Sequence, residues 1–379
     1  MTYIKNSIIV TPEAEISDKV LAFDEKINGI IDEADVPAGA EVIDAKGGYT
    51  LPGLIDIHIH GYLGEDSTDG IADGLYTMAK GIVKNGVTSF LPTTMTVGMN
   101  DINAAFDAVR AAKEKSKSWD GAEILGVHAE GPFINPAKKG AQPEEHIISP
   151  YAAFILDNAD LVKVVTVAPE MDKDHAFIKE VSAKSDVLIS IGHTEANYDE
   201  AMSAIKDGAN SATHLFNTMP PLSHRAPGVI GAALTTDIYC ELIADTFHIH
   251  PGLFPMVAKL KGDKLILITD CMRAGGLEDG NYTLGGQDVI VKGIECRMTD
   301  GTIAGSVLAL NAAIRNMINH TDLPVHSVVN MASLAPAKAI HVNDTKGSIE
   351  SGKDSDIVIT DKDFNVVRTI KNGKTVFTA

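Results

Sequence analysis

Eight short apolar runs, spaced between about residue 54 and about residue 340, constrain the fold of this chain more than any other feature. The first three are Leu54-Ile55-Asp56-Ile57-His58, Thr88-Ser89-Phe90-Leu91-Pro92-Thr93 and Ile124-Leu125-Gly126-Val127-His128-Ala129-Glu130. The others cover residues 164–169, 187–193, 211–217, 241–245 and 265–270. Between them lie segments such as Gly74–Lys80 and Tyr198–Ile205, whose apolar positions fall three to four apart, the spacing of a helix. Continuous apolar strands alternating with helices predict a parallel sheet covered on both faces. Eight such units predict a TIM (β/α)8 barrel. The competing plan, a doubly wound open sheet, would carry Gly-x-Gly-x-x-Gly after its first strand, and that motif is absent.

The ends of the chain read differently. Residues 1–50 hold short strand-like runs, such as Ser7-Ile8-Ile9-Val10 and Lys19-Val20-Leu21-Ala22-Phe23. Residues 344–379 repeat the style, with Asp356-Ile357-Val358-Ile359, Val366–Ile370 and Thr375-Val376-Phe377 around an Asn372-Gly373 turn. Asn-Gly is a strong hairpin signal. Neither end has enough core to stand alone. We expect them to join as one small β-sandwich-like domain outside a barrel spanning residues 51–343. A hairpin is expected at residues 282–305, after the eighth strand, with a turn at Asp300-Gly301.

The formal net charge of −19 argues against nucleic-acid binding, and an anionic substrate would need a local basic cluster. No apolar run of about 18 residues exists, so no membrane span is expected. The N-terminus lacks the basic-then-apolar pattern of a signal peptide. Three unevenly spaced cysteines, Cys240, Cys271 and Cys296, read as reduced thiols of a cytoplasmic chain.

Catalytic groups of a TIM barrel sit at the C-terminal ends of its strands. The polar residues at those ends are His58 and His60, Glu130, His193, His214 and Asp270. His58 and His60 lie two apart, so a strand presents both on one face together with Asp56. Two buried imidazoles on one face are costly unless something binds them, and a metal ion is the usual partner. Singly, each residue has an ordinary alternative: a hydrogen-bonded core histidine, or an aspartate capping a helix. Together they indicate a divalent metal site. Imidazole and carboxylate without thiolate suit zinc first, with iron, manganese or cobalt as alternatives. Such an ion activates water near neutral pH, and Asp270 is the natural general base and acid. The residues alone therefore lead to metal-assisted hydrolysis of a polarised carbon centre, such as an amide or cyclic amide.

The order His-x-His, Glu, His, His, Asp on a barrel with a split β domain resembles the amidohydrolase superfamily. Longer segments resemble one family within it, the N-acetylglucosamine-6-phosphate deacetylases. They are His128-Ala129-Glu130-Gly131-Pro132-Phe133, Gly192-His193-Thr194, Thr213-His214-Leu215-Phe216-Asn217-Thr218-Met219, His224-Arg225-Ala226-Pro227-Gly228, Ile243–His248 and Thr269-Asp270. The resemblance covers essentially the whole chain. It implies hydrolysis of the acetamide of N-acetylglucosamine 6-phosphate to glucosamine 6-phosphate and acetate, in amino-sugar catabolism and cell-wall sugar recycling. It also implies that Glu130, His193 and His214 are the main metal ligands and that Asp270 is catalytic. Glu130 would take the bridging place that a carboxylated lysine fills in other superfamily members; strand 4 here ends Val167-Ala168-Pro169-Glu170 without a lysine.

For the phosphate, the resemblance implies His248, the backbone amides of Asn217 and Thr218, and Arg225 reaching in from the neighbouring subunit of a homodimer. A guanidinium suits phosphate geometry, and histidine adds a second donor. Without the resemblance, Arg225 reads as a solvated loop arginine. Gln142 stands where many members have a substrate-contacting histidine. His58 and His60, degenerate in some members, favour a second metal ion here. His224 stays ambiguous, Lys138 and Lys139 read as a solvated pair, and His128, His146, His250 and His326 as structural or surface residues. Cys271 reads as packed.

Overall fold

The computed structural model describes residues 1–379. Its centre is a barrel of eight parallel strands: β1 (Leu54–Ile59), β2 (Val87–Thr94), β3 (Val127–Glu130), β4 (Val162–Val167), β5 (Leu188–Ile191), β6 (Ser211–Ala212), β7 (Tyr239–Ile243) and β8 (Leu265–Ile268). Each pairs with the next in chain order. The strands are almost wholly buried because helices cover the outside and side chains fill the inside, which explains their unbroken apolar runs.

The barrel closes between β8 and β1 at its mouth rather than along a full ladder. The Asp270 N–H donates to the His58 carbonyl and the His60 N–H to the Cys271 carbonyl, both at 2.9 Å. Deeper in this seam, Thr269 Oγ1 donates to Asp56 Oδ2 at 2.6 Å. Burial pushes the Asp56 carboxyl up to about 6. The seam therefore joins the two strands that carry His58, His60 and Asp270.

Helices follow the strands as expected, including α1 (Ala72–Ile82) after β1, α2 (Met99–Ser116) after β2 and α3 (Tyr198–Asp207) after β5. The last begins with a capping box, in which Asn197 accepts from the Glu200 N–H and the Glu200 side chain accepts from the Asn197 N–H. Along α2, Ile102, Phe106 and Val109 turn inward. Burying each such side chain stabilises the fold by about 1.5–3 kcal/mol. A single apolar cluster of 83 residues runs through the barrel and its helical coat.

Strands from both chain ends make two further sheets. One has four strands from residues 2–44. In the other, Tyr49–Pro52 pairs antiparallel with Ile357–Thr360, matching Pro52 with Ile357 and Tyr49 with Thr360. Ile4, Ile9, Leu21, Phe23, Ile357, Ile359 and Ile370 meet in a second core.

Two local expectations need correction. The expected hairpin is a three-stranded meander, Gly280–Leu284, Gln287–Lys292 and Glu295–Met298, with glycine turns at Gly285-Gly286 and Gly293. The Asp300-Gly301 turn follows it, closed by the Met298 N–H on the Thr302 carbonyl. The sixth strand is only two residues long, because the chain turns from Thr213 onward.

Candidate active site

Three of the expected residues stand two positions beyond a strand end: His193 after β5, His214 after β6 and Asp270 after β8. All three have positive φ, at 47°, 30° and 51°. Such backbone is strained for residues other than glycine and persists only when its surroundings hold it. Here they do. The His193 carbonyl accepts from the Asn135 N–H at 2.9 Å, and the His214 carbonyl from the Asn217 N–H at 3.0 Å. The Asp270 carbonyl accepts from the Ser306 N–H at 2.8 Å. The sharp turns swing the three side chains over the barrel mouth towards Glu130, the last residue of β3.

Glu130 is the centre of the arrangement. Its Oε1 lies 3.2 Å from His193 Nε2 and 3.0 Å from His214 Nε2, and those nitrogens are 3.1 Å apart. Its Oε2 lies 3.3 Å from His60 Nε2, which is also 3.2 Å from Asp270 Oδ1. His58 Nε2 sits 3.4 Å from Glu130 Oε1 and 3.5 Å from Asp270 Oδ1. It is buried and hydrogen-bonds to neither. Two metal-sized groupings face the barrel mouth, Glu130 with His193 and His214, and His58 with His60 and Asp270; a third, His58 with His128 and Glu241, lies behind them.

The histidines are held from behind. His60 Nδ1 meets the Thr93 carbonyl at 3.2 Å and His193 Nδ1 the Lys138 carbonyl at 2.9 Å. A carbonyl only accepts, so both rings carry hydrogen on Nδ1 and keep Nε2 as a ligand atom. His58 Nδ1 meets Glu241 Oε2 at 2.9 Å. Gln142 donates to Glu130 Oε2 at 2.7 Å. Burial opposes charge on Glu130, Asp270, His58 and His60. The surrounding histidines nonetheless hold Glu130 well below the usual carboxylate range. Asp270 is held down to about 2, chiefly by His60 and His58. Burial likewise pulls His60 down, but Asp270 and Glu130 outweigh it and raise the ring to about 9. Four imidazole nitrogens converging on two buried carboxylates, one nitrogen with no hydrogen bond, fit a divalent cation better than protons.

The cavity above these groups holds about 310 Å³ and is also lined by Gln142, Asn217, Thr218 and His248. Asp245 orients His248: its Oδ2 accepts from Nδ1 at 2.6 Å, and its Oδ1 from the His248 N–H at 2.8 Å. The Asn217 amide is already bonded to the His214 carbonyl. The meander and the segment after it close one side, through Leu284 and through Thr302 and Ile303 respectively.

Residues 49–376 match the amidohydrolase family. The chain belongs to that family. Within it, the chain is 40% identical to the N-acetylglucosamine-6-phosphate deacetylase of Bacillus subtilis (strain 168), over 99% of this chain and 96% of the relative. The solved Pasteurella multocida N-acetylglucosamine-6-phosphate deacetylase is 33% identical, with a TM-score of 0.94 and full coverage of both chains. A mutant of the Mycobacterium smegmatis enzyme, solved in complex with N-acetyl-D-glucosamine-6-phosphate, is 26% identical with a TM-score of 0.91 over the whole of this chain and 99% of that one. The family is metal-dependent, and this member carries the His, Glu and Asp clusters able to bind an ion.

Not every expected site residue of this amidohydrolase lies at the cavity. Arg225 is exposed on a tight turn closed by Ser223 and Ala226, away from its own chain's cavity. His224 is exposed beside it. Lys138 is ion-paired with Glu195 at 2.9 Å rather than freely solvated. His128 lies inside the barrel, its Nδ1 on the Ile57 carbonyl and its Nε2 on Thr166 Oγ1. Two residues escaped sequence reasoning: Glu241 behind His58, and Asp245 behind His248. The available signal was a carboxylate within, or just after, a buried apolar strand.

Proposed function

We propose that this chain hydrolyses the acetamide of N-acetyl-D-glucosamine 6-phosphate, giving D-glucosamine 6-phosphate and acetate. The observation that carries this reading is one cavity with Asp270 and the Glu130–His193–His214 cluster at its floor and His248 on its wall. The substrate class comes from the deacetylases that the chain resembles over its whole length.

Glu130, His193 and His214 would hold one divalent ion. His58 and His60, with Asp270 and a shared Glu130, would hold a second. Zinc is the first candidate, with iron, manganese and cobalt as alternatives. A bound ion supplies Lewis acidity that polarises the acetamide carbonyl and activates water. Asp270, a carboxylate at neutral pH, takes the proton from the attacking water. It then passes that proton to the amide nitrogen as the C–N bond breaks. The sugar leaves as an amine, and acetate keeps the oxygen of water. His248, its ring fixed through Nδ1 by Asp245, would meet the phosphate. Gln142 lines the same cavity, and the amide hydrogen it does not spend on Glu130 would be its contact with a bound sugar. The Thr218 backbone N–H would contribute at the phosphate end, whereas the Asn217 N–H is already engaged by the His214 carbonyl. Arg225, exposed and absent from the lining of its own chain's cavity, would act on the neighbouring cavity of a homodimer. The three cysteines are free and buried, which agrees with the cytoplasmic location we propose. No helix is long and apolar enough to cross a membrane.

The test is direct: incubate the metal-replete enzyme with N-acetylglucosamine 6-phosphate and measure acetate. Absence of acetate overturns the reading. Metal analysis of protein purified without chelator tests the two-ion arrangement, and a ratio near one per chain sinks it.

A further inference from the structure

Below the cavity floor, on β7, Glu241 stands in the run Cys240-Glu241-Leu242-Ile243 with 0% of its surface exposed. A carboxylate buried there is costly unless a cation or several donors answer it. No lysine or arginine does; its ion pair is with His58 alone. Oε2 accepts from His58 Nδ1 at 2.9 Å and from the His214 backbone N–H at 3.2 Å, while Oε1 has no partner. The Glu241 backbone carbonyl accepts from the Leu215 N–H at 2.8 Å. One residue therefore grips the side chain of one expected ligand and the backbone on both sides of another. Those two ligands belong to different halves of the site.

Glu241 is not arranged as a ligand itself. It is close to His58 and His128, but both nitrogens of His128 are engaged, with Ile57 and Thr166. The His128 ring packs edge-on against His58 with centroids 4.5 Å apart. His58 is thus confined from the side by His128 and from its Nδ1 end by Glu241. A carboxylate at Nδ1 selects the Nδ1–H form and leaves Nε2 directed at Glu130 and Asp270.

We propose that Glu241 is a positioning residue of the metal site: it holds His58 with hydrogen on Nδ1 and sets the affinity for the ion that His58 ligates. Carboxylates behind ligating imidazoles fix the ring and raise its basicity, and losing one weakens metal binding by about 10- to 100-fold. The inference rests on His58 being a metal ligand.

The experiment titrates chelator-stripped full-length protein with cobalt(II), reading affinity and stoichiometry from visible absorption. Wild type is compared with Glu241→Gln, Glu241→Asp, His58→Ala and the double variant His58→Ala/Glu241→Gln, with far-UV circular dichroism to check the fold. Glu241→Gln is expected to bind cobalt about 10- to 100-fold more weakly. The double variant is expected to bind no more weakly than His58→Ala, because Glu241 acts through that ring. Wild-type affinity in Glu241→Gln overturns the proposal. So do additive losses in the double variant, or wild-type affinity in His58→Ala. If Glu241→Gln fails to fold, Glu241→Asp, which withdraws the carboxylate by one methylene, gives the same comparison. Failure of both to fold makes Glu241 a folding residue and also overturns the proposal. None of these readouts depends on acetate release, so a wrong substrate would be recognised separately.

Discussion

Gln142 and Glu130 are joined by a hydrogen bond of fixed sense: the Gln142 amide nitrogen donates to Glu130 Oε2 at 2.7 Å. The sense is fixed because Gln142 Oε1 accepts from the Thr96 backbone N–H at 2.6 Å. Reversing the amide would set two donors and two acceptors against each other. A neutral donor on Oε2 steadies the Glu130 carboxylate without adding charge to the site. Gln142→Glu places a second carboxylate in the same position, and the two can coexist only by sharing a proton. Loss of a hydrogen bond to a charged group is worth about 1.5–3 kcal/mol. The variant is therefore expected to lose about 10- to 100-fold in kcat/KM and to retain less metal after dialysis. Steady-state kinetics with paired metal analysis checks this. Unchanged values in both would mean that the Glu130 contact is incidental.

Asp270→Asn keeps the shape of the site but removes the proton acceptor. A general base contributes about 10²- to 10⁴-fold. A loss of that size in kcat is expected, with little change in substrate affinity. The ion held by Glu130, His193 and His214 should remain, since those contacts do not involve Asp270. A variant that keeps more than a tenth of wild-type kcat would assign the proton transfers elsewhere.

Arg225 gives a prediction that depends on a second subunit. Arg225→Ala removes an anchor remote from the reacting bond, so KM should rise with little change in kcat. If the arginine serves the neighbouring cavity, mixing Arg225→Ala with Asp270→Asn subunits restores one complete site per heterodimer. Co-expressed, differently tagged subunits should then recover wild-type KM and part of the activity. Persistence of the raised KM in isolated heterodimers would place the arginine's action within its own chain.

The barrel was legible because its signal repeats: eight apolar runs at strand length can close in few other ways. Glu130, His193, His214 and Asp270 were legible because a polar residue at the end of an apolar run is conspicuous. What stayed hidden depends on pairings far apart in sequence. Glu241 reads as a stray charge in a strand until His58, 183 residues away, is seen against it. The short β6 was hidden because Thr213–Met219 carries no breaker, and its turns use positive φ at His214, Phe216 and Thr218 rather than glycine. In sequence the meander resembles a simple hairpin because its first strand, Gly280–Leu284, has only Tyr282 and Leu284 as apolar cues.

Two buried lysines near the lower end of the barrel supply a pH prediction away from the metal site. Lys346 is charged and well matched, with Glu123 at 2.9 Å, Asp356 at 2.8 Å and Asp354 at 3.3 Å. Lys371 is 3% exposed and forms no ion pair; its Nζ donates to the Ser116 carbonyl at 2.7 Å. Burial lowers Lys371 to about 8. Below pH 8 the ammonium is protonated in both folded and unfolded chains, and its burial weakens the fold. Between pH 8 and the ordinary lysine value the unfolded chain binds more protons, so this residue's contribution to stability rises with pH. The full effect is on the order of 3 kcal/mol. Lys371→Met should remove that rise and leave the protein at least as stable at pH 7, because the Ser116 carbonyl keeps the Trp119 N–H as a donor. Urea midpoints of wild type and variant at pH 7 and pH 10 give the comparison. If the difference between the two proteins is the same at both pH values, Lys371 does not titrate in this window.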